Sequence, residues 1–97
     1  MIPYSFHPEA EAELAGAALF YESRRVGLGR AFATEVERTV SLIREHPDAG
    51  SPAGLPHRRM LVRRFPYWIV YEADQESVFV LAVAHQRRHP GYWRPRT

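Results

Sequence analysis

Between Tyr67 and His85 lies the stretch that most restricts what this chain can fold into. Tyr67 to Tyr71 is aromatic and β-branched, and Val78 to Val83 is apolar at every position, the pattern of a strand buried on both faces of a sheet. The segment between them, Glu72 to Ser77, is polar and short enough to close an antiparallel hairpin. At His85 the apolar run stops, and the chain continues as Gln86-Arg-Arg-His-Pro-Gly-Tyr-Trp93. The hairpin thus delivers arginine, histidine and aromatic side chains to one strand end, where a rigid sheet presents them to a partner.

Ahead of the hairpin the pattern is helical. Ile2 to Phe6 alternates Tyr4 and Phe6 on one side and predicts a short strand, begun or edged by Pro3. Pro8 then stands at a first helical position with Glu9, Glu11 and Glu13 in the opening turns, a strong helix start. Ala10, Leu14, Ala17, Ala18 and Tyr21 form its narrow apolar face. Leu19 and Phe20 are candidates for a surface on which a partner helix docks. The helix runs out near Arg24 or Arg25, and Val26 to Gly29 connects to a second helix over Arg30 to His46, with Phe32, Val36, Val40 and Ile43 as its stripe. Pro47 ends it, and Asp48 to Pro56 is loop.

His57 to Phe65 reads as a strand with an arginine pair at each end. Strand alternation puts Arg59, Leu61 and Arg63 on one face. Phe65-Pro66 makes the corner into Tyr67. The expected order is βααβββ over residues 1–97 as a single domain: an α+β fold, with a helical hairpin packed on one face of a mainly antiparallel four-stranded sheet and the other face partly open. At 97 residues there is room for one modest core.

Composition excludes several classes. No apolar run approaches the roughly 20 residues of a membrane span, and the start, Met1-Ile-Pro-Tyr, has no basic region followed by an apolar stretch, so a cytoplasmic location without membrane partners is expected. Absence of cysteine removes disulfides, thiolate metal sites and thiol catalysis. His85 and His89 have the spacing of a ligand pair but lack a third ligand, so neither metal nor other cofactor is expected. Residues 1–50 carry five arginines against eight acids, whereas residues 51–97 carry eight against three. All these cations are arginine, whose planar fork suits phosphate or carboxylate, so the C-terminal half is a candidate face for an anionic partner. Arg59, Arg63, Arg87 and Arg88 are its candidate contacts, with Trp68 and Trp93 as aromatic neighbours; Tyr92 and Trp93 equally suit a hydrophobic clasp folded back on the sheet. If the chain is a nuclease, His85 is a candidate proton carrier, with Arg87, Arg88 and Tyr92 completing the set.

Three stretches in this order and spacing resemble the RelE/ParE superfamily of toxins from type II toxin-antitoxin systems, also known as plasmid stabilisation proteins. They are Pro8-Glu-Ala-Glu-Ala-Glu-Leu14, Phe65-Pro-Tyr-Trp-Ile-Val-Tyr71 and Val80-Leu-Ala-Val-Ala-His-Gln-Arg-Arg-His-Pro-Gly-Tyr-Trp93. The resemblance implies a small growth-inhibitory toxin, held in a hetero-oligomer by a cognate antitoxin that covers its working face. It also implies one of two targets: DNA gyrase for the ParE branch, or ribosome-bound mRNA, cut without a metal ion, for the RelE branch. Two arginines of RelE-like nucleases fall here on Trp68 and near Gln86, while their terminal tyrosine falls on Tyr92. His85-Gln86-Arg87 matches the histidine-x-arginine of the ParE branch, although Arg88-His89 replaces the Met-Asp that usually follows. The chain therefore resembles the ParE branch more, with the ribonuclease, or a non-toxic interaction domain of the same fold, as alternatives.

Overall fold

The N-terminal segment forms strand β1 (Tyr4–Phe6), and Pro8 opens helix α1 (Pro8–Arg24), in the computed structural model, which describes residues 1–97. His7 caps the helix, its Nδ1 accepting from the Glu9 N–H at 3.0 Å, while Glu9 and Glu11 sit against the positive end of the dipole. The turn into α2 (Leu28–Glu45) uses Gly27 at φ 88°. Both the Gly27 and Gly29 N–H groups donate to the Glu22 carboxylate at 3.0 Å. Gly29 also lies so close to the backbone carbonyl of Ala18 that a β-carbon has no room, which is how the two helices come together.

Past Pro47 the chain makes four strands: β2 (Ser51–Pro52), β3 (Arg58–Leu61), β4 (Tyr67–Ala73) and β5 (Val78–His85). They form one sheet in the order β1-β5-β4-β3-β2, antiparallel except for β1 beside β5. The sheet is five-stranded rather than four-stranded, because Ser51 and Pro52 pair with Arg59 and Arg58 inside what the composition marks as loop. β3 is also shorter than expected. It stops at Leu61, and Arg64 adopts φ 72° in the turn before Phe65-Pro66, so Arg63 lies in that turn and does not share a strand face with Arg59.

Both faces of the central strands are buried, as the unbroken apolar run of β5 requires. One face meets the helices: Phe32, Val36, Val40 and Ile43 of α2 and Ala10 and Ala17 of α1 pack on Ile69, Tyr71, Val78, Val80 and Val83. Leu81 is skipped in the register, where Val70 pairs with Ala82 and Tyr71 with Val80, so Val80 and Val83 share a face despite their odd separation. The opposite face carries Val70, Leu81, Ala82 and Ala84, and it is only partly open. The C-terminal tail folds over it and buries Trp93 among them.

Candidate functional site

β4, β5 and the returning tail together build a groove of about 250 Å³, floored by Trp68, Val70 and Ala84 and walled by His85 and the segment His89 to Arg94. No acidic side chain lines it, whereas Arg59, Arg88 and Arg94 do. Each of these guanidiniums lies over an aromatic ring: Arg59 over Trp68 at 4.1 Å, Arg88 over Tyr92 at 3.8 Å and Arg94 over Trp93 at 4.8 Å. Arg88 also reaches the Glu13 carboxylate at 3.9 Å, whereas Arg59 and Arg94 are held by stacking without being neutralised, so the groove is electropositive.

One carboxylate holds the tail down. Glu13 of α1 accepts from the Tyr92 hydroxyl at 2.6 Å, from Arg96 at 2.9 and 3.0 Å, and from the backbone N–H of Val83 at 3.0 Å. Arg96 in turn donates to the Leu81 carbonyl at 3.0 Å. β1 pairs with β5 only from Val78 to Val80, so beyond that point the acid and the guanidinium take the place of a neighbouring strand for Leu81 and Val83. Burial, and then the hydrogen bond to Glu13, hold the Tyr92 hydroxyl well above the ordinary tyrosine range.

The residues singled out from the sequence separate in three dimensions. His85, Arg88, Tyr92, Arg59 and Trp68 converge on the groove. Arg87 sits outside it in the exposed turn after β5, and its backbone N–H donates to His85 Nδ1 at 3.0 Å. Arg63 is exposed in the β3–β4 turn. Trp93, expected as a contact for a partner, is only 5% exposed and packs edge-on to His57 at 4.9 Å, so it belongs to the core beneath the groove. Phe20, half exposed, lies beside His85 and Arg88 along a second trough between α1 and β5, while Leu19 points to solvent at 73% exposure.

Sequence reading missed Glu13, Arg94 and Arg96. Glu13 carried a usable signal, since it stands three residues after Ala10 and four before Ala17, on the buried side of α1. The two arginines had none, because their roles depend on the tail turning back at Gly91, which has φ 78°. His57 is likewise buried. Its Nδ1 donates to the Gly54 carbonyl at 3.0 Å, and Nε2, which has no hydrogen-bond partner, faces the Glu72 carboxylate at 3.6 Å.

Comparison with known proteins bears on this arrangement. A family profile described as the ParE toxin of the type II toxin-antitoxin system parDE matches residues 4–90. Among solved structures, a chain from the "Chromosomal ParDE TA system from P. aeruginosa" superimposes with a TM-score of 0.63 at 16% identity, over 88% of this chain and 96% of that one. At that identity the likeness is one of fold. No curated protein matches. No helix is long and apolar enough to cross a membrane.

Proposed function

This chain belongs to the ParE toxin family of type II toxin-antitoxin systems, and from that premise we propose that it arrests bacterial growth in the cytoplasm by binding and inhibiting DNA gyrase, and that a cognate antitoxin neutralises it. The observation that carries a binding mode over a cutting one is the state of Tyr92. Its proton is donated to Glu13 at 2.6 Å and its pKa is raised, so the hydroxyl is neither free to protonate a leaving oxygen nor easily ionised to act as a base. Trp68 and Gln86 stand where the resemblance puts the arginines of a nuclease, and a phosphorane left without two such charges loses several kcal/mol of stabilisation.

His85, Arg87 and Arg88 at the end of β5 supply the exposed basic surface for the target. The antitoxin covers this surface and the electropositive groove beside it. Two assays test the reading. The purified chain should inhibit supercoiling by purified gyrase, and Arg87→Ala combined with Arg88→Ala should weaken that inhibition. In a coupled translation reaction it should leave mRNA intact. Cleavage of mRNA that disappears in His85→Ala and Tyr92→Phe, with gyrase unaffected, establishes the ribonuclease instead.

A further inference from the structure

We infer that His57 is a proton-operated latch, which ties the loop before β3, strand β4 and the C-terminal tail together when its ring is charged and holds them less firmly when it is neutral. Its position follows from the register. Arg58 pairs with Tyr71 at the start of the β3–β4 ladder, so His57, one residue earlier, stands opposite Glu72 on the face that the tail covers. The ring is buried edge-on against Trp93 at 4.9 Å. The backbone of the same residue closes the loop, its N–H donating to the Gly54 carbonyl at 3.1 Å and its carbonyl accepting from the Ala53 N–H at 2.9 Å. Ala53 and Trp93 both line the electropositive groove, so whatever moves His57 is felt there.

The surroundings of the two ring nitrogens set the direction. Nδ1 lies 3.0 Å from the Gly54 carbonyl and Nε2 3.6 Å from the Glu72 carboxylate. Both neighbours are acceptors, so a ring with one proton spends it on Gly54 and leaves Nε2 as a buried lone pair facing a negative charge. A second proton makes Nε2 a donor. The Glu72 side chain, 40% exposed and free to rotate, then closes the gap to the roughly 2.7–2.9 Å of a charge-assisted bond. The other charges nearby are already engaged or in water. Asp74, next on the same side of β4, accepts from the Glu76 and Ser77 N–H groups, and Arg58 donates to the Gly50 carbonyl. Arg94 of the tail lies over the loop at Gly54 and donates to the Ala53 carbonyl, but it is exposed, so its repulsion is screened. No third histidine, aspartate or glutamate joins the pair to make a metal-ligand set, which leaves the proton as the cation that fits. Both nitrogens are therefore satisfied on the acid side and only one on the alkaline side, so the hold on the tail weakens as pH rises. This device is independent of the reading under Proposed function.

Nitrogen-15 NMR of the histidine rings in the intact chain reads both nitrogens separately, and His57→Phe, which keeps a ring against Trp93, assigns the signal. As pH is raised from acid, His57 should lose the proton on Nε2 and keep the one on Nδ1, the reverse of the tautomer a free histidine side chain prefers. Amide hydrogen exchange at Ala53 and Arg94, corrected for the intrinsic effect of pH, should quicken about tenfold as the ring becomes neutral, and His57→Phe should show no such step. Glu72→Gln, a change at the surface, separates a latch from a merely packed ring. Its amide can donate to a neutral Nε2, so the ring should give up its second proton at lower pH than in the parent and the step in exchange should disappear. A ring that keeps its last proton on Nε2, a titration that Glu72→Gln leaves in place, or amide exchange indifferent to the charge of the ring overturns the inference. So does Zn²⁺, added alone, if it binds at Nε2 and fixes the tail as the proton does, because the pair is then a metal site.

Discussion

Replacing Glu13 by alanine should cost more than any other surface-accessible substitution in this molecule. Its side chain is 16% exposed and that of Arg96 is 9%, so the pair is largely withdrawn from water. Removal of the acid leaves the guanidinium with only the exposed Glu9 carboxylate at 3.7 Å, the Val83 N–H without an acceptor and the Tyr92 hydroxyl without its short bond. Breaking a buried pair from one side costs about 3–5 kcal/mol, against a total stability of about 5–15 kcal/mol for a domain of this size. Glu13→Gln keeps the volume and one acceptor oxygen and should lose about 1.5–3 kcal/mol. Urea denaturation followed by circular dichroism measures both, and a double-mutant cycle with Arg96→Ala isolates the pair. Coupling of about 1.5–3 kcal/mol is expected. If the two single changes are additive to within about 0.5 kcal/mol, the carboxylate is not the anchor of the tail.

Trp93→Ala should destabilise by about 3–5 kcal/mol in the same assay, since the indole fills the second face of the sheet; a loss below about 1 kcal/mol means the tail is loosely held. Gly29→Ala places a β-carbon against the Ala18 carbonyl and should cost about 1–3 kcal/mol in place of the small gain alanine usually brings to a helix. Burial raises the pKa of Tyr21, Tyr67, Tyr71 and Tyr92. A raised folded-state value means a contribution that is complete below the unfolded value of about 10 and is lost as pH rises from there through the folded value. Stability measured by urea titration should therefore fall with rising pH in that alkaline window, less steeply in Tyr92→Phe, and an unchanged slope contradicts the environment described for that hydroxyl.

The parts of the fold legible in the sequence were those that rest on periodicity and punctuation. Pro8 and the three glutamates marked α1, the Phe32 to Ile43 stripe marked α2, and the two β-rich runs marked the hairpin. What stayed hidden depends on long-range closure. The apolar run of β5 asked for burial on both faces, yet a two-helix layer covers only one, and the missing cover is Trp93, some ten residues along the chain from the strand it packs on. For the same reason the sequence left Trp93 open between a partner contact and a clasp on the sheet, because an aromatic residue in an Arg-rich tail looks alike whether it stacks on a ligand or on its own sheet. β2 escaped notice because two residues carry no period. At the site, His85, Arg88 and Tyr92 could be named from the sequence, but their constraint by Glu13 arises from a contact spanning 79 residues.

The central claim, that this chain is a toxin acting through the basic end of β5, is tested most directly by viable counts after induced expression in a bacterial host without the antitoxin. The intact chain should lower the count by orders of magnitude. The variant carrying both Arg87→Ala and Arg88→Ala, expressed to the same level and equally folded, should grow as the uninduced culture does. Indistinguishable growth of the induced intact chain and the uninduced culture contradicts the toxin assignment, and equal killing by the parent and the double variant contradicts the role given to that basic surface.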